Sequence, residues 1–191
     1  MLSAMARPDT NREEDMTVDK LIALHDAKHV SLVRRGHWEY VTRPNVSGIV
    51  LIVPITDDGK LVLVEQFRIP VQARVIELVA GLAGDRPELA GEDLVVAARR
   101  ELLEETGYEA ERFELLTAGP PSAGITDEFV TLFKATGLRK RGKGGGDASE
   151  DITVHAVPLT EVREWLEARR RDGAMIDVKV YAGLYFALVS S

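Results

Sequence analysis

The sequence contains no cysteine, which excludes a disulfide scaffold, a thiolate zinc site and a cysteine nucleophile. Long apolar runs are also missing. No stretch reaches the 18 or so residues that cross a bilayer, so no membrane association is expected. The opening MLSAMARPDTNREED has no apolar segment of signal-peptide length, and cytoplasm is the expected location. Basic residues are outnumbered, 24 Lys and Arg against 31 Asp and Glu, for a formal charge of -7. A nucleic-acid binder normally shows a basic face, so no nucleic-acid partner is expected. What remains is a chain of 191 residues that is 45% apolar, the length of one domain and enough to bury a core.

Residues 1–16 are polar and aperiodic and are expected to form a flexible tail. The segments HVSLVRR and HWEYVTR read as two short strands meeting at Gly36, within a β arm over 17–43. The main domain is expected over 44–191. There, SGIVLIVPIT and KLVLVEQFR flank Asp57-Asp58-Gly59, and an Asp-Gly step between β-branched runs predicts a hairpin. A further strand is predicted over Arg74–Val79, ending at Gly81. Others follow over Phe113–Thr117, Glu128–Thr136 and Ile152–Pro158. Between them DLVVAARRELLEET reads as a helix with Asp93 as N-cap and Gly107 just past its end. Thr160 is expected to cap a second helix that ends in Arg169–Arg171, and KVYAGLYFALV to form a docked terminal helix. Strands joined by hairpins, with two or three helices, predict an α+β class of mixed sheets sandwiched between helices.

The segment Arg139–Gly146, RKRGKGGG, is basic and glycine-rich and reads as a flexible surface loop. It is one residue short of a phosphate-binding P-loop, because Gly144 stands where Ser or Thr would hold Mg²⁺ and no helix pattern follows. His25 and His29 have a spacing that can hold zinc on a helix, but no Cys or third His stands nearby; a structural or exposed role is expected. His155 reads as strand packing. Ser122 is no nucleophile elbow, because Pro120 occupies the place of the required glycine.

The chemistry concentrates in the predicted helix. At 100° per residue, Glu101, Glu104 and Glu105 share an arc of roughly 100°. Carboxylates so crowded repel one another unless cations sit among them, and a hard divalent cation takes such oxygen ligands together with substrate phosphates. A solvated acidic face would satisfy the same pattern. Glu92, just before the helix, is placed to support the cluster.

The string Glu92, seven residues, then Arg100-Glu101-Leu102-Leu103-Glu104-Glu105-Thr106-Gly107-Tyr108 resembles the signature of the Nudix hydrolases. Two positions differ. Arg86 stands where the opening glycine belongs, so that Gly81 becomes its counterpart with about five inserted residues around Asp85–Leu89, and Tyr108 replaces an aliphatic residue. The flanking motifs are similar to those of the ADP-ribose pyrophosphatase subfamily, over roughly Gly36 to Gly183. Glu77-Leu-Val-Ala80-Gly81 resembles its E-x-P-A-G strand end, and Gly119-Pro-Pro-Ser122-Ala-Gly124-Ile-Thr-Asp127-Glu128 its acidic loop. Glu65-Gln66-Phe67-Arg68 and Trp38-Glu39-Tyr-Val-Thr-Arg43 resemble two substrate-contacting strands.

The resemblance implies the Nudix fold and Mg²⁺, with Mn²⁺ as a substitute. It implies hydrolysis of the pyrophosphate of ADP-ribose, or of a related nucleoside diphosphate sugar such as GDP-mannose, giving AMP and ribose 5-phosphate from ADP-ribose. A non-catalytic ADP-ribose sensor is the alternative class, although no helix carboxylate is lost. The implied metal ligands are Glu101, Glu105 and the Ala80 carbonyl, with Glu104 as ligand or helper and Glu128 as base. Arg43 and Arg68 would contact phosphates, while Trp38 and Glu39 would meet the adenine across a homodimer formed through the arm. Bland alternatives stand beside these roles: core packing for Trp38, a surface ion pair for Arg68, a solvent-facing edge carboxylate for Glu77.

Overall fold

The computed structural model describes residues 20–146 and 151–189; the tail expected over 1–16 lies outside them. Three sheets are formed. Strands β1 (Ile22–Asp26), β2 (Ser31–Arg35) and β3 (Trp38–Thr42) make an antiparallel N-terminal sheet. His25 therefore lies on a strand and His29 in the following bend, not on a helix.

The main domain holds two four-stranded sheets. One has the order β7 (Val79–Ala83), β4 (Gly48–Pro54), β9 (Val130–Lys140), β8 (Tyr108–Gly119); β4 and β9 run parallel in it. The other has the order β10 (Thr153–Pro158), β5 (Lys60–Arg68), β6 (Ala73–Glu77), β11 (Met175–Ile176), with β6 and β11 parallel. The sheets lie between helices. Helix α1 (Leu94–Thr106) buries Ala97, Ala98 and Leu102 against Val50, Ile52, Val79 and Phe133. Helices α2 (Val162–Arg171) and α3 (Val178–Val189) bury Val162, Leu166, Val180 and Leu184 against Leu51, Val53, Leu61 and Leu63. Alternate residues of β4 thus face opposite layers, as the period of two in a strand requires.

Two strand predictions change. The turn after β4 forms, with the Lys60 and Thr56 backbones bonded, but β4 and β5 enter different sheets instead of pairing as a hairpin. Both are buried on both faces, the signature of strands covered by packed layers above and below rather than of a half-exposed ribbon. The run Arg74–Val79 is likewise two strands. It breaks at buried Leu78, where the chain passes from the β5 sheet to the β4 sheet.

Helix α1 keeps its predicted bounds. The Asp93 carboxylate accepts from the Val95 amide at 2.8 Å, and Gly107 closes the helix at φ 70°. In α2 the N-cap position falls on Glu161, not Thr160, and no side chain caps it. The basic glycine segment is not a free loop. Arg139 and Lys140 extend β9, and residues 141–146 fold back onto the end of α1.

Candidate active site

The edge strand β7 and helix α1 build an acidic centre between them. In a strand the N–H and C=O of one residue project to the same side, and those of the next to the other. The Ala80 amide points off the sheet edge toward Glu105 Oε2, at 3.4 Å. Its carbonyl therefore faces the same way, toward the helix. Two residues on, the Leu82 carbonyl accepts from Arg100 Nη2 at 3.1 Å. Between them Gly81 gives room to Glu101: a Cβ there would fall 2.0 Å from the Glu101 carboxyl carbon. Only glycine leaves that carboxylate in place.

Arg100 organises the cluster. Its Nε and Nη2 hold both oxygens of Glu92, at 3.1 and 3.0 Å, and its Nη1 meets Glu101 at 2.7 Å and Glu104 at 3.4 Å. Hydrogen bonding to Arg100 keeps Glu92 below the usual carboxylate range, and the same pairing raises Arg100. The Glu92 side chain is 5% exposed, so a bidentate pair of this kind fixes geometry as well as charge. Among the described residues no three carboxylates or imidazoles stand together in metal-ligand geometry, and Glu101 and Glu104 turn toward Arg100. The residues expected as ligands nevertheless offer only hard oxygen, from carboxylates and one backbone carbonyl. That is the chemistry of Mg²⁺ or Mn²⁺ and not of a thiolate or imidazole metal.

A second group forms where β3 meets the loop before β9. Arg43 Nε pairs with Glu128 at 3.0 Å, Thr42 donates to Asp127 at 3.0 Å, and the Trp38 indole N–H donates to the Gly124 carbonyl at 3.2 Å. The Val41 amide also bonds the Ile125 carbonyl. Trp38 is 52% exposed, so it is not a core residue. Its neighbour Glu39 is exposed as well, opposite Arg34 on β2. Arg43 and Glu128 open onto a cavity of 620 Å³ that Leu94, Thr117 and Phe133 also line, within the size range of small-molecule sites.

Arg68 and Glu77 form a third group, paired with each other at 2.7 Å. Burial raises the Glu77 carboxyl, and Arg68 offsets part of that rise. The structure thus brings Glu105 to Ala80, Glu101 to Gly81, Glu101 and Glu104 to Arg100, and Arg43 to Glu128, with Trp38 on the same loop as Glu128 through Gly124. Arg68 is brought to Glu77.

Two arrangements escaped the sequence reading. Buried Glu65 accepts from Arg74 at 2.9 Å and Arg169 at 2.9 Å and meets His155 at 2.8 Å, and His155 lies 4.9 Å from the Trp165 ring. His155 is therefore part of an ion-pair hub as well as of the packing. Partners drawn from β5, β6, β10 and α2 leave no local signal. The second is the contact of residues 140–146 with α1, whose one signal was the density of glycine.

A family profile, "NUDIX domain", matches residues 47–177. The methanol dehydrogenase activator of Bacillus methanolicus is 37% identical over 124 residues, 64% of each chain. The ADP-ribose pyrophosphatase of Bacillus subtilis (strain 168) is 36% identical over 125 residues, again 64% of each. This chain thus spans less than two-thirds of the length of these relatives. A crystal structure of an ADP compounds hydrolase superposes with a TM-score of 0.63 at 22% identity, covering 79% of this chain and 82% of that one.

Proposed function

From this chain's membership of the NUDIX family, we propose that it hydrolyses the pyrophosphate bond of ADP-ribose or a related nucleoside diphosphate sugar, releasing AMP and ribose 5-phosphate from ADP-ribose. The observation that carries this reading is the edge of β7, where Gly81 and Ala80 face Glu101 and Glu105 while Arg100 and Glu92 brace the helix behind them.

Glu101, Glu105 and the Ala80 carbonyl would hold Mg²⁺, or Mn²⁺ in its place, with Glu104 as ligand or helper. Such an ion, when bound, polarises phosphoryl oxygens and lowers the pKa of water. Glu128 is the base in this reading, and it stands beside Arg43 at 3.0 Å. Substrate phosphates would draw the guanidinium toward themselves, since Arg43 presents a planar fork suited to two phosphate oxygens. Arg68 is a further phosphate contact. The exposure of Trp38 and Glu39 supports their role at the adenine, where an aromatic face is available for stacking.

A homodimer fits the same surface. Ile22, Leu24 and Leu32 on the N-terminal sheet, with Leu21 just before it, are exposed apolar residues, of the kind that mark interaction sites when contiguous. No helix is long and apolar enough to cross a membrane among the described residues.

The test is phosphate release with Mg²⁺ from ADP-ribose, GDP-mannose, ADP-glucose and NADH, using a phosphatase that reports the monophosphate product, with nucleoside triphosphates followed instead by released pyrophosphate. A lead in kcat/KM for ADP-ribose is expected. A lead for GDP-mannose would keep the metal centre and retire the adenine contacts, whereas a lead for ADP-glucose would keep both. ADP-ribose binding without turnover of any compound would point to the sensor.

A further inference from the structure

Helix α1 ends against its own electrostatics. The C-terminus of a helix carries partial negative charge and favours cations, yet the last turn of α1 holds Glu104 and Glu105 and no basic residue. Its final carbonyls also need donors from outside the helix. Both are supplied from the far end of β9. Lys140 Nζ donates to the Thr106 carbonyl at 2.6 Å and lies 4.4 Å from the centre of the Tyr108 ring. The amides of Gly146 and Gly145 donate to the carbonyls of Glu104 and Glu105, at 3.1 and 2.8 Å. Those of Arg141 and Gly142 donate to the Gly107 carbonyl, at 2.8 and 3.1 Å.

The contact is backbone on backbone. A Cβ on Gly144 would lie 2.4 Å from the Thr106 carbonyl carbon, and one on Gly107 would lie 2.3 Å from the Gly142 oxygen. Gly144, Gly145 and Gly146 adopt φ values of 71°, 114° and 78°, which side-chain-bearing residues rarely take. The glycines permit close approach here instead of conferring chain freedom.

We propose that Lys140–Gly146 is a strap that positions the metal-binding carboxylates: by holding the backbones of Glu104 and Glu105, it sets the affinity of α1 for a divalent cation. Lys140 and the strap glycines are positioning residues that touch neither cation nor substrate. The inference rests on the divalent-cation role proposed above for α1.

The experiment is Mn²⁺ binding to the full chain without substrate, followed by the electron paramagnetic resonance signal of the free ion. Gly144→Ala is expected to raise the Mn²⁺ Kd about tenfold, the lower end of what loss of a ligand-orienting partner costs. Gly59→Ala, equally left-handed at φ 76° but facing open space, should keep the wild-type Kd. Lys140→Met supplies a second variant should Gly144→Ala fail to fold, and its sign is diagnostic. Removing a cation near the site would by itself tighten Mn²⁺ binding, whereas loosening the strap weakens it; weakening is expected, with recovery in Lys140→Arg. Folded variants that bind Mn²⁺ as tightly as the wild type, or more tightly, overturn the inference. A wild-type chain that binds no Mn²⁺ overturns the cation role itself, and the strap's function with it.

Discussion

Gly81→Ala separates the chemistry of the centre from the stability of the fold. The added Cβ would lie 2.0 Å from the Glu101 carboxyl carbon and 2.1 Å from its Cγ and Oε1. Non-bonded carbons sit comfortably at about 3.5–4.0 Å, so the carboxylate must retreat by roughly 1.5 Å. It is the far end of a flexible side chain and can swing aside without disturbing the core. Position 81 lies in extended strand β7, where replacing glycine by alanine reduces the entropy lost on folding and is worth up to about 1 kcal/mol of stability. A displacement of about 1 Å at a reacting centre costs on the order of 100-fold in rate, or about 2.7 kcal/mol of barrier. The variant should therefore melt at or slightly above the wild-type temperature while kcat/KM for ADP-ribose falls about 100-fold, measured by coupled phosphate release beside thermal unfolding. A folded variant within twofold of wild-type kcat/KM would refute the placement of Glu101 at the centre.

Three other outcomes are expected. Trp38→Ala should raise KM for adenine nucleotides severalfold with little change in kcat, because an exposed ring stacking on substrate contributes about 1–3 kcal/mol; an unaltered KM in steady-state kinetics would remove the tryptophan from the site. Leu102→Ala, at a fully buried position of α1, should lower unfolding free energy by about 2–5 kcal/mol in urea titration, and a loss below about 1 kcal/mol would contradict the packing. Burial raises the Glu65 carboxyl, but its bonds to His155, Arg74 and Arg169 outweigh that and hold it below 4.5 in the fold, as Arg100 holds Glu92. Groups depressed on folding add stability above their unfolded pKa and lose it as pH falls through the folded value. The urea midpoint should accordingly drop below about pH 4.5, and less steeply in Glu65→Gln; equal slopes would rule out Glu65 as a contributor.

Helix α1 was legible because every local signal agreed. Asp93 caps it, Ala98 and Leu102 repeat on its buried face, Gly107 ends it, and the acidic string lies between. The strand pairing of the main domain was less so. Asp57-Asp58-Gly59 marks a true turn, but whether β4 then pairs with β5 depends on which partners compete for its edges, and β7 and β9 take them. The continuous burial of both strands was the available clue, since a hairpin with one wet face would alternate. Leu78 hid the break between β6 and β7 because a buried leucine reads as part of a strand. Within the site, the helix carboxylates could be read from spacing, whereas the β7 glycine came only from the resemblance, because Arg86 holds its expected place. The Glu65 hub and the strap on α1 could not, because their partners meet only after the chain has folded. Glycine-rich composition suggested mobility at 141–146, where positive φ and close backbone approach were the operative reasons.

The central claim is that the acidic edge of α1 and β7 drives hydrolysis of a pyrophosphate bond with a divalent cation. Phosphorus NMR of ADP-ribose incubated with the chain and Mg²⁺ tests it most directly. The diphosphate resonances should decay while two monophosphate signals, those of AMP and ribose 5-phosphate, grow at equal rates, and EDTA should stop the change. A diphosphate that stays intact, or a cleavage that continues undiminished in EDTA, would contradict it.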